Sequence, residues 1–94
     1  MSLRAIKYIT SSDTLDTDYD TFFIDATGGN ITFTLCNIEN DGENFWIKRT
    51  DNSLNTVTIQ GYTNTQTIEN QTSLALLPGV RIIVISTNNV WYYF

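Results

Sequence analysis

A chain of 94 residues, 41% hydrophobic and 16% charged, is too apolar for a disordered tail and long enough for one domain. Its net charge of −5, from 5 Lys and Arg against 10 Asp and Glu, argues against nucleic acid and anionic membrane as partners, because both are bound through clustered basic side chains. The absence of histidine and the presence of 1 cysteine remove Ser-His and Cys-His nucleophile pairs, an internal disulfide and any Cys-based zinc site.

Residues 1–94 read as a single β domain, with 1–5 a disordered or appended start. Ile6 to Thr10 is a short strand, and the polar, acidic Ser11 to Asp20 is a loop. Thr21 to Ala26 is a strand, after which Gly28-Gly29 supplies the backbone freedom of a tight reversal. Ile31 to Cys36 alternates with period two, placing Ile31, Phe33 and Leu35 on one face. These two segments read as a hairpin. Asn37 to Glu43 is a loop punctuated by Asp41-Gly42. Phe45 to Arg49 is a strand with Phe45 and Ile47 on one face and Trp46 and Lys48 on the other. Asp51 to Asn55 is a turn, Thr56 to Gln60 a strand with Val57 and Ile59 inward, and Gly61 to Thr65 a turn. Thr67 to Glu69, Thr72 to Leu77, Val80 to Ser86 and Val90 to Phe94 complete the set. Asn88-Asn89 fits a two-residue hairpin loop.

The expected class is all-β: a sandwich, roll or β-prism-like domain of about 8–9 short antiparallel strands. No internal repeat is evident. No apolar run approaches the roughly 20 residues of a membrane helix, so membrane insertion is not expected. Arg81 to Ile85 is apolar on both faces, and Val90 to Phe94 nearly so. A strand with one face in water should alternate, so something covers the second face: a neighbouring subunit is the expected cover, and two central strands enclosed within one subunit is the alternative. The expected contact residues are Ile83, Ile85, Trp91 and Tyr93.

Other features point less far. Asp16, Asp18 and Asp20 lack the Gly and Glu that a calcium loop requires, since Thr21 and Thr27 stand there. Glu39, Asp41 and Glu43 share a loop and read as solvated rather than as a hydrolytic pair. Cys36 has no adjacent cation to activate it. Asn30-Ile31-Thr32 and Asn70-Gln71-Thr72 are formal glycosylation sequons in a chain rich in Asn and Thr. Trp46 is the candidate for stacking against a sugar, which gives the alternative function of a carbohydrate-binding module. No catalytic, cofactor-binding or metal-ligating residue is assigned, and the chain is not expected to be an enzyme.

Several segments taken together carry a resemblance. They are Asp18-Tyr19-Asp20-Thr21, Ile24-Asp25-Ala26-Thr27-Gly28-Gly29 and Ile31-Thr32-Phe33-Thr34-Leu35. Ile47-Lys48-Arg49-Thr50-Asp51-Asn52-Ser53, Asn55-Thr56-Val57-Thr58-Ile59, Gln66-Thr67-Ile68-Glu69 and Asn89-Val90-Trp91-Tyr92 follow. In this order they resemble a β-rich domain at or near the C-terminus of viral and phage fibre or tail proteins, over most of residues 18–94. Cys36 stands where that pattern has Pro, and Asn70 where it has Gly. The resemblance implies a non-enzymatic homotrimeric module of the virion fibre or tail, facing outward. A host-surface glycan or protein receptor is its implied partner. It brings no catalytic residues to carry over.

Overall fold

Short apolar-alternating segments broken by Asn, Asp and Gly produce ten strands in a computed structural model that describes residues 3–94. They are β1 (Ile6–Ile9), β2 (Asp13–Thr14), β3 (Thr21–Ile24), β4 (Ile31–Thr34), β5 (Asn44–Arg49), β6 (Val57–Gln60), β7 (Thr67–Ile68), β8 (Ser73–Ala75), β9 (Arg81–Thr87) and β10 (Val90–Tyr93). There is no helix among the described residues. The all-β class therefore holds.

The arrangement within that class differs from the antiparallel sandwich, roll or prism expected. One sheet has the order β1-β3-β5-β9-β10-β7 and the other β2-β4-β6-β8. Successive strands β1 to β6 alternate between the sheets, and β1, β2, β3 and β4 each pair in parallel with the strand two places on. This is a β-solenoid of about three turns. The segments Thr21 to Ala26 and Ile31 to Cys36 accordingly form no hairpin. Gly28 and Gly29 instead help turn a corner between sheets, closed by the Gly29 N–H donating to the Ala26 carbonyl at 3.1 Å. A period of two fixes which side chains share a face, but it is the same for parallel and antiparallel partners.

The last strands close one end of the coil. β9 runs antiparallel to β5, β8 runs antiparallel to β6, and β10 folds back on β9. Their hairpin loop is the expected Asn88-Asn89, with φ of 50° and 63°. At the other end Lys7 takes the register position that Phe22 and Ile47 occupy on β3 and β5. Its ammonium lies 3.7 Å from carboxylate oxygens of both Asp13 and Asp16 and above the Tyr19 ring. A charge at an inward position of an edge strand discourages another strand from adding there. Met1 and Ser2 lie outside the described residues. Ala5 is held rather than loose: its N–H donates to Asp20, and its carbonyl accepts from the Asp20 and Thr21 N–H groups.

The core lies between the two sheets. Phe22 on β3 meets Phe33 on β4 with ring centroids 5.1 Å apart, and Phe45 packs against both Phe22 and Trp91. Ile24, Ile47, Val57, Ile59 and Val84 fill the rest. Beside this core, the corners of successive turns are stitched by a buried ion pair. Arg49 Nε donates to Asp51 at 3.0 Å, and the guanidinium also donates to the carbonyls of Leu76 and Asn55. Asp51 in turn accepts the Ala26 and Ser53 N–H groups.

Candidate functional site

The outward positions of the six-stranded sheet follow from register. Ile6, Thr21, Trp46 and Ile83 are aligned across β1, β3, β5 and β9, and Tyr8, Phe23, Lys48 and Arg81 form the next row. Ile85 lies between Asn44 and Tyr92, while Ile83 and Phe94 exchange both backbone hydrogen bonds. The face is thus apolar across four strands. Phe94 is 73% exposed, Tyr92 43% and Trp46 38%, with Phe23, Ile83 and Ile85 half-buried beside them. A groove of about 280 Å³ runs between Phe23, Trp46 and Ile83, with Lys48 and Arg81 along it. The Lys48 ammonium donates to the Gly79 carbonyl. Tyr8 stacks on Phe23 at 5.8 Å and extends the aromatic surface towards β1.

Ile83 and Ile85 lie on this face, as the reading of two-sided strands requires. Trp91 and Tyr93 do not. Trp91 is completely buried, its indole N–H without a hydrogen-bond partner, and Tyr93 packs against the core. The physical reason is the two-residue loop. It pairs Thr87 with Val90 and hence Ile85 with Tyr92, so odd positions on β9 share a face with even positions on β10. The outward residues of β10 are therefore Val90 and Tyr92, followed by Phe94. That parity was legible from Asn88-Asn89, whereas the membership of Phe23 and Tyr8 depends on parallel pairing and left no local signal. Trp46 is outward as expected, but the Arg4 guanidinium sits over its ring, 4.2 Å from the centroid. A cation–π contact of this kind occupies a ring face that a sugar would need.

The remaining candidates serve local structure. Glu43 accepts the Glu39 and Asn40 N–H groups, and Asp41 accepts that of Asn88. Ser86, fully buried, clamps the same loop by donating to the Asn40 carbonyl and accepting from the Glu43 N–H. Asp16 accepts from Asp18, and Asp20 accepts from Ala5 and Thr21. No group of three metal-ligating side chains is assembled among the described residues. Cys36 is buried, and burial, with Glu43 and then Glu39 nearby, pushes its thiol up to about 11. It is therefore protonated at neutral pH and a poor nucleophile.

No protein-family model matches the chain, and no curated protein matches it in sequence.

The outer face of the six-stranded sheet is where exposed and half-buried aromatic and aliphatic side chains are grouped. A contiguous patch of this kind is unusual on a lone soluble domain, where apolar side chains are normally scattered.

Proposed function

We propose that this chain is a non-enzymatic structural module of a viral fibre or tail, working as a homotrimer through the outer face of its six-stranded sheet. The observation that carries the reading is the patch formed by Phe23, Trp46, Ile83, Ile85, Tyr92 and Phe94. One subunit leaves it in water, and further copies would cover it. The viral setting and the number three come from the resemblance in the order and spacing of the strand and turn segments. Burying about 800 Å² per protomer, at ~25 cal/mol per Å² of its apolar part, gives a gross gain on the order of 10 kcal/mol before association costs. That is comparable to the stability of a whole domain.

Light scattering on a size-exclusion column tests the proposal. A trimer of the 10.7 kDa chain has a mass of about 32 kDa at micromolar concentration. Ile83→Asp and Tyr92→Asp, both outward, should give monomers with wild-type strand content by circular dichroism. A wild-type protein that stays monomeric at hundreds of micromolar overturns the reading.

A further inference from the structure

The four-stranded sheet carries a second concavity, of different chemistry. It is a cleft of about 340 Å³ on the outer side of β6 and β8, walled by the loop from Gly61 to Gln66. Its functional groups belong to Thr58, Gln60, Tyr62, Asn64, Thr72 and Ser73. None carries a charge, although the chain as a whole is acidic. Among the described residues their side chains make no hydrogen bond within the protein; the side-chain bonds of this loop are those of Thr63 with Thr65 and those of Gln66 at its end. The lining therefore offers hydroxyls and amides that both donate and accept, beside one half-exposed phenol ring.

The wall is built before any ligand arrives. Gly61 lies so close to the loop's far end that a Cβ there would come within 2.2 Å of the Gln66 carbonyl oxygen. The Gly61 N–H donates to Thr72 at 3.1 Å, tying the loop to the β8 side. Gln66, buried at the loop's end, accepts the Ile38 N–H at 2.9 Å and donates to Asn37 at 2.6 Å. A pre-formed cleft loses little ordering entropy on binding.

We propose that this cleft binds a neutral carbohydrate. Charged ligands have no counter-ion there, and a purely apolar one would strand the hydroxyls and amides. A sugar ring offers alternating hydroxyls for Thr58, Gln60, Asn64 and Ser73, and an apolar C–H face for Tyr62. The inference does not rest on the assembly reading, because the cleft lies on the other sheet. A monomer that binds sugar would overturn only assembly, and a trimer that does not would overturn only this.

The test is titration of the 15N-labelled protein, in whatever oligomeric state it adopts, with glucose, galactose, mannose, N-acetylglucosamine and lactose. With at least one of them, amide shifts should saturate with a Kd on the order of millimolar and cluster at residues 58–64 and 72–73. Tyr62→Ala should weaken binding roughly tenfold, and Tyr8→Ala on the opposite sheet should leave it unchanged. Gln60→Ala, on the β6 strand rather than the loop, should weaken it too while the amides of residues 63–66 of the free protein keep their positions. Failure of all five sugars to give saturable shifts overturns the proposal. So do shifts centred on Trp46, or undiminished binding by both cleft variants.

Discussion

At the scale of single residues, the Arg49–Asp51 pair matters most for stability, because both side chains are almost fully buried. A buried ion pair is not automatically favourable, since desolvating two charges offsets their attraction. Here the guanidinium finds carbonyls in addition to the carboxylate, and the carboxylate finds two backbone N–H groups and the Ser53 hydroxyl. The Arg49 guanidinium beside Asp51, helped by these N–H and O–H donors, holds its carboxyl well below the usual carboxylate range. A carboxyl whose pKa is depressed by folding adds stability that is complete above its unfolded value, about 3.9, and fades as pH falls towards the folded one. Asp51→Asn keeps the shape but leaves Arg49 a buried, unpaired charge. It should cost about 3–5 kcal/mol at pH 7. Urea unfolding at pH 7 and pH 3 checks both points. The gap between variant and wild type should narrow at the lower pH, and an equal gap at the two pH values would show that the Asp51 charge is not responsible.

At the scale of elements, local signals are strong where the chain reverses on itself and weak where it coils. The β9–β10 hairpin was legible in Asn88-Asn89, and both residues adopt left-handed backbone angles. Asn tolerates such angles better than other residues with a side chain, but Gly tolerates them at no steric cost. Asn88→Gly and Asn89→Gly should therefore raise the melting temperature, while Asn89→Val should lower it by about 4–8 °C through a cost near 1 kcal/mol. Thermal melts followed by circular dichroism decide the sign. The inward faces of β4, β5 and β6 were equally legible, since Ile31, Phe33, Ile47, Val57 and Ile59 alternate strictly and are all buried. The coil was not. Ile6 pairs with Thr21 fifteen residues on, and Thr21 with Trp46 twenty-five residues on, so the turns share no common length that a repeat search detects. Strand β2, only Asp13–Thr14, hides in a polar loop because both its residues are exposed. The candidate face was half legible for the same reason: β9 announces itself by two apolar faces, but its neighbours are set by pairings distant in the chain.

At the scale of the whole molecule, the two sheets divide the surface by chemistry. The outer side of the six-stranded sheet is aromatic and aliphatic, and that of β6 and β8 is neutral and hydroxyl-rich. In the proposed trimer, three copies pressed together through the first face would leave the second pointing outward. Assembly has a thermodynamic signature independent of mass. If folding and trimerisation are coupled, unfolding releases three chains, so mass action raises the melting temperature with protein concentration. For a domain of this length, with an unfolding enthalpy of about 0.7 kcal/mol per residue, the rise is about 5 °C for each tenfold increase. Tyr92→Asp and Phe94→Asp should abolish that dependence, because they place a charge in the covered face without touching the core. Lys7→Ala, at the far end of the coil, should preserve it. A melting temperature that does not move over a hundredfold range of wild-type concentration would mean that the outer face is left bare during unfolding, and the trimer would then contribute nothing to holding this fold together.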